Sequence, residues 1–153
     1  MQEHRRNRMK SAALAAVLGA LLAGMAVPVL AQPAAAPSVL EGAYDEEQAL
    51  RGQALYYQHC LDCPGETMAG VDKAPALAGP QFSSTWDKAP LEVLVARILS
   101  MPPEKPGSLS RQQSVDVLSY MLWYNGLPLG SAPLSAEAAV LLQTTFQLPS
   151  ASQ

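Results

Sequence analysis

YYQHCLDCPG, residues 56 to 65, carries the chain from a helical stretch into its only two cysteines, Cys60 and Cys63, and closes on Pro64 and Gly65. Upstream, DEEQALRGQALYYQ (45 to 58) is expected to be a helix. Acidic residues crowd its first turn, where the helix dipole favours them, and Ala49, Gly52 and Tyr56 share one face at i, i+3 and i+7. A small residue at 52 followed four positions later by an aromatic lets a second helix cross closely. Downstream, Cys60 to Asp87 shows no sustained periodicity and is punctuated by Gly65, Gly70, Pro75, Gly79 and Pro80. So long an irregular segment inside a domain is uncommon unless it wraps something, which points to a bound cofactor.

Order returns at Pro90, a residue suited to the first turn of a helix, with Leu91, Leu94, Val95 and Ile98 at helical spacing. That helix must stop before Pro102-Pro103, leaving Met101 just past its end at the start of the turn MPPEKPG (101 to 107). The next helix is the best signalled. Ser110 to Gln113 has the capping-box form, Val115, Leu118 and Leu122 make an apolar stripe with Tyr120, Met121 and Trp123 alongside, and Gly126 followed by Pro128 ends it. A shorter helix is expected from Ser135 to about Phe146, and residues 147 to 153 as a disordered tail. Strand signals are scarce and no internal repeat is present. The fold class is therefore all-α, three main helices plus a short C-terminal one.

The 153 residues suffice for one domain of ordinary size. Residues 1 to 31 read as a signal peptide rather than as part of it: Arg5, Arg6, Arg8 and Lys10 precede an apolar run from Ala12 to Val27, and Val29-Leu30-Ala31 offers a cleavage point. The competing reading is an uncleaved anchor, for which the run barely reaches the length of about 20 residues that a bilayer requires. Arg5-Arg6 hints weakly at the route that exports folded proteins. After cleavage no stable membrane span is expected. Residues 32 to 43, beginning QPAAAPS, read as a flexible Pro/Ala linker, with the domain starting near Tyr44.

Cleavage leaves six basic against twelve acidic side chains, a formal charge of −6. That balance argues against nucleic acid, whose binding needs clustered positive charge, and suits steering towards a basic patch on a partner protein. In an exported chain two cysteines this close are either oxidised to a disulfide or occupied by a ligand or cofactor.

Helix, Cys-x-x-Cys, glycine and proline loop, helix, Met-Pro, final helix: in this order residues 44 to 146 resemble the class I cytochrome c family, above all the small periplasmic cytochromes that accompany bacterial alcohol and sugar dehydrogenases. The matching stretches are YYQHCLDCPG, APALAGPQF with Trp86, ILSMPPEKPGSL and DVLSYMLWYNGLPLG. The resemblance implies one covalently attached haem c, with Cys60 and Cys63 as its thioether cysteines and Met101 as distal iron ligand. Such a thioether favours ferrous iron and raises the potential. It further implies that the Pro75 carbonyl holds the proximal histidine, that Trp86 lines the haem edge, and that Gly52 and Tyr56 meet Tyr120 where two helices cross. The implied protein is a periplasmic electron carrier, not an enzyme. Its redox partners would be proteins such as a periplasmic dehydrogenase and a terminal oxidase or another cytochrome.

One position departs from the family. Cys-x-x-Cys-His is the attachment signal for c-type haem, and Pro64 stands where the histidine belongs. Proline offers iron no side-chain donor, so the proximal ligand is missing and recognition by the haem-attachment machinery is put in question. His59 precedes the cysteine pair, on the wrong side of it, and is read as background rather than as a substitute ligand. Two functions stay open. One is an electron carrier with an impaired proximal iron site, and the other a haem-free interaction or structural subunit with a Cys60 to Cys63 disulfide. The second is energetically poor, because a domain of about 100 residues lies near its stability limit without a cofactor. His and Pro codons can differ by a single nucleotide, so Pro64 also fits an altered copy of an ordinary cytochrome. Zinc is poorly served by Cys60, Cys63, His59 and an acid such as Asp62 or Glu66, and a thioredoxin-like exchanger would need a βαβ context.

Overall fold

The computed structural model describes residues 38–61, 65–71 and 74–147. These belong to the second of two units into which the chain divides, Ala35–Gln153. The expected signal peptide, the linker up to residue 37, Asp62, Cys63 and Pro64, and the tail from 148 onward lie outside the described residues.

The Asp45 side chain accepts the Gln48 N–H at 2.8 Å and so starts α1 (Glu46–His59), with Glu46 and Glu47 at the positive end of its dipole. α2 (Gly79–Trp86), α3 (Leu91–Leu99), α4 (Arg111–Tyr124) and α5 (Ala138–Gln143) follow. Among the described residues there is no strand beyond isolated bridges, and the fold is all-α. No helix among them is long and apolar enough to cross a membrane.

α4 is the centre of the packing. Its capping box forms as expected, Ser110 accepting from the Gln113 N–H while the Gln113 side chain accepts from the Ser110 N–H, and every residue from Ser114 to Leu122 is buried. α1 crosses it at Gly52, where a Cβ would stand 1.8 Å from the Asp116 carbonyl oxygen and 3.0 Å from the Tyr120 Cβ. Glycine is required there for space. Beside the crossing, the fully buried Gln48 donates to Asp116 Oδ1 (3.1 Å) and to the Leu134 carbonyl (3.0 Å) and accepts the Leu134 N–H (2.6 Å). The C-terminal strap is thereby pinned to both helices.

Three expectations about boundaries need correcting. Residues 38–43 are part of the packed domain and not linker: Ser38 caps a short 3-10 helix, Val39–Glu41, Val39 is fully buried, and the Ser38 hydroxyl donates to Gln147 Oε1 at 2.9 Å. The stretch from Cys60 to Asp87 contains α2, whose start at Gly79-Pro80 reads as punctuation although proline is well tolerated in a first helical turn. The last helix is shorter than expected, because residues 144–146 extend to pair with 88–91 through Lys88 N–H to Phe146 O (2.7 Å), Phe146 N–H to Ala89 O (2.9 Å) and Leu91 N–H to Thr144 O (2.9 Å).

Candidate functional site

At the C-terminal end of α1, His59 is its last residue and Cys60 its cap, the Cys60 N–H reaching the Tyr56 carbonyl at 2.8 Å. The chain then returns to the helix: the Tyr56 hydroxyl donates to the Gly65 carbonyl at 2.7 Å. Burial pushes the Tyr56 phenol well above its ordinary pKa, and the neighbouring Cys60 adds to the rise, so Tyr56 stays a neutral donor.

The Gly/Pro loop is held at its neck. The buried Met68 accepts, through its carbonyl, the N–H groups of Leu77 (2.8 Å) and Ala78 (3.2 Å). At Gly70, with φ of +78°, a Cβ would meet the Ala74 carbonyl oxygen at 2.5 Å, so the return towards Pro75 needs glycine. Asn125, at the end of α4, fixes the other side of the neck. Its amide donates to the Leu77 carbonyl (3.0 Å) and the Met121 carbonyl (2.7 Å), and its oxygen accepts the Gly79 N–H (3.0 Å). On the facing side α3 ends at Leu99, the Met101 N–H reaches the Ile98 carbonyl (3.0 Å), and the turn closes through Gly107 N–H to Leu99 O (2.8 Å).

These segments enclose a cavity of about 540 Å³, within the range of about 300–1,000 Å³ usual for small-molecule and cofactor sites. Five of the residues singled out from the sequence line it together: His59, Cys60, Pro75, Trp86 and Met101. Tyr56 lines it as well, Gly52 and Tyr120 sit where α1 and α4 cross, and Cys63 and Pro64 lie outside the described residues. The buried part of the wall is largely apolar, with Phe82, Leu94, Leu109, Val117 and Met121 beside the Tyr56 ring. Polar lining residues such as Gln81, Thr85, Arg97 and Glu104 are solvent-exposed and mark the rim. No buried side-chain nitrogen or oxygen among the described residues lacks a hydrogen-bond partner. The cavity therefore offers burial to an apolar body, a cation at Arg97 to a charged end, and the sulfurs of Cys60, Met101 and Met121 as soft donors.

The sequence reading passes over Arg97, and it names Met121 only beside an apolar stripe and Phe82 only within a matching stretch, neither as a lining residue. Arg97 had a signal: it lies on the α3 face that runs from Leu94 through Ile98 towards Met101. Phe82 and Trp86 are spaced i, i+4 and pack with ring centroids 6.4 Å apart, a helical signal hidden by the Gly-Pro in front of it. Among the described residues no three His, Cys, Asp or Glu side chains gather into a metal cluster. No family model matches the chain, and the comparisons with curated proteins and with solved structures find no match either.

Proposed function

We propose that the cavity is a haem site and that the chain is a class I cytochrome c-like, single-haem electron carrier of the periplasm. It would pass electrons from a dehydrogenase towards the respiratory chain, with an atypical proximal iron site and no enzymatic activity of its own. The observation that carries this reading is convergence. Cys60, Pro75, Trp86 and Met101, named by the resemblance and scattered over some 40 residues of sequence, line one apolar cavity of cofactor size.

The residues present fit the group. When bound, haem would supply a one-electron store; Cys60 is placed to hold it covalently, Met101 to offer its thioether to the iron, and the exposed Arg97 to meet a carboxylate at the rim. The aromatic and aliphatic wall excludes water from the apolar body. An apolar wall left facing water is unfavourable, so the cavity gains by burying an apolar occupant.

Pro64 favours the rival reading, a haem-free subunit with a Cys60 to Cys63 disulfide. Intact mass of the denatured mature protein, exported by cells with working c-type haem maturation, separates the two. A mass higher by one haem supports the carrier. A haem-free mass, lighter by two hydrogens than the reduced chain, sinks it, and the Pro64→His variant then tests whether the histidine alone restores attachment.

A further inference from the structure

Five of the chain's nine aromatic residues form one cluster that runs from the cavity wall to the surface. Tyr56 lines the cavity and is fully buried. Its ring lies 5.5 Å, centroid to centroid, from that of the buried Tyr120, and 6.0 Å from that of Tyr57. Tyr120 in turn stands 6.1 Å from Trp123 and 6.1 Å from Tyr124. All four spacings fall within the contact range of aromatic pairs, about 4.5–7 Å. The outer members are open to water: Tyr57 is 47% exposed, Trp123 39% and Tyr124 43%. Three large aromatics thus stand at the surface, each joined by ring contact to an inner tyrosine.

The hydrogen bonds give the cluster a direction. The Tyr56 hydroxyl donates to the Gly65 carbonyl, which cannot take up its proton. Tyr120 is buried away from solvent as well. A phenol that loses an electron must soon lose its proton. Only the exposed phenols, and the indole of Trp123, have water to receive it. An electron vacancy arising at the cavity would therefore be passed on by Tyr56 and Tyr120 and come to rest on the outer three.

We propose that this cluster is a one-electron relay that drains oxidising equivalents from the cavity to the surface, the oxidant being a hydroperoxide. The inference rests on the proposed reading of the cavity as a haem site. One hydroperoxide takes up two electrons and two protons, its O–O bond breaks, and it leaves as one alcohol and one water. Two phenols each give up one electron and one proton and become phenoxyl radicals, which balances the two electrons and two protons the hydroperoxide takes up. Where Trp123 serves in place of a tyrosine, it loses one electron and its indole proton. Tyr44 is the internal control: it is buried, donates to the Leu127 carbonyl at 2.6 Å and has no ring contact with the cluster.

The test treats haem-loaded protein, its loading checked by intact mass, with one equivalent of tert-butyl hydroperoxide and maps oxidised and cross-linked residues by peptide mass spectrometry. Modification is expected at Tyr57, Trp123 and Tyr124, with Tyr44 untouched, and is expected to be lost in the Tyr56→Phe, Tyr120→Phe double variant, which keeps both rings. The surface variant Tyr57→Phe, Tyr124→Phe, which leaves the buried rings in place, should move the modification onto Trp123. Unchanged modification in the buried double variant, or modification confined to Trp86 and Met101, overturns the relay. Protein that carries no haem by mass overturns both the haem reading and the relay, and is distinct from failure of the relay alone, in which the haem mass is present.

Discussion

Replacing Gly52 by alanine tests the helix crossing on which the cavity depends. The new Cβ would lie 1.8 Å from the Asp116 carbonyl oxygen, 2.5 Å from its carbon and 3.0 Å from the Tyr120 Cβ, whereas ordinary contact begins at 3.4 Å. Both sides of the clash are backbone or the first side-chain atom, so no rotamer relieves it. α1 and α4 must part by over an ångström. Overpacking costs about 1–3 kcal/mol, and a backbone clash belongs at the top of that range. Parting the helices also weakens the Tyr56 to Tyr120 ring contact, worth about 0.5–1.5 kcal/mol, while alanine returns about 1 kcal/mol of helix propensity.

The net expectation is a loss of about 3 kcal/mol and a fall in Tm of about 10 °C or more for a domain of this size. Urea and thermal unfolding followed by far-ultraviolet circular dichroism, at matched haem occupancy, measure it. Gly79→Ala is the comparison. No atom lies within 4 Å of its would-be Cβ, and its φ of +81° exposes it only to the left-handed penalty, about 1–2 kcal/mol. A Gly52→Ala protein as stable as the parent, or hurt no more than Gly79→Ala, would refute the close crossing.

Three further outcomes are expected. Gln48→Ala strands the N–H and carbonyl of Leu134 and a bond to Asp116 in a buried site, and should cost about 2–4 kcal/mol by denaturant unfolding; a change under about 0.5 kcal/mol would deny the network its role. Burial pushes the Tyr44 phenol up from its ordinary value of 10 to about 12. The unfolded chain thus loses this proton first as pH rises, so the contribution is intact below pH 10 and is lost between pH 10 and about 12, a fall of about 3 kcal/mol. Tyr44→Phe should flatten that alkaline limb, and an unchanged limb would place the cause elsewhere. In haem-loaded protein, Met101→Ala should lower the reduction potential measured by redox titration without changing the haem mass, since a thioether ligand raises it. A potential that stays put would remove Met101 from the iron.

What could be read from the sequence follows from how local each signal is. α1 and α4 were legible because their information lies within one turn of each end: the Asp45 cap with Glu46 and Glu47 behind it, and the reciprocal bonds of Ser110 and Gln113. The place of the crossing was legible only through the resemblance, since locally a glycine on a helical face fits equally an amphipathic helix that tolerates it. Val39 was not, because nothing local in a Pro/Ala/Gly stretch signals its burial, and the neighbouring Ser38 is held by Gln147, distant in sequence. The early end of α5 has the same origin, residues 144–146 being drawn out of helix by backbone partners at 88–91. α2 was hidden by reading Gly79-Pro80 as a break when the pair is a start. At the candidate site no single residue announced itself. Met101, Pro75 and Trp86 acquired meaning only through their order along the chain, and Arg97, outside that order, was missed.

Pro64 and the cavity bear on different parts of the binding problem, and the difference can be measured. On the haem reading, Pro64 would alter what the chain could offer an iron and an attachment machinery, whereas the wall of Tyr56, Phe82, Leu94, Val117 and Met121 offers burial to any apolar body of the right size. With every buried polar side-chain atom among the described residues already partnered, affinity should come from that burial and from Arg97 at the rim. The haem-free mature chain should therefore bind iron-free protoporphyrin. At a free concentration about 100 times Kd, binding stabilises by about 2.7 kcal/mol, a rise in Tm of about 10 °C here. Arg97→Glu should weaken it by setting a carboxylate against the porphyrin's own. If haem raises Tm and the iron-free porphyrin does not, coordination rather than burial carries the affinity, and the role given to the apolar wall is wrong. If neither does, the cavity is not a porphyrin site, whatever residue stands at 64.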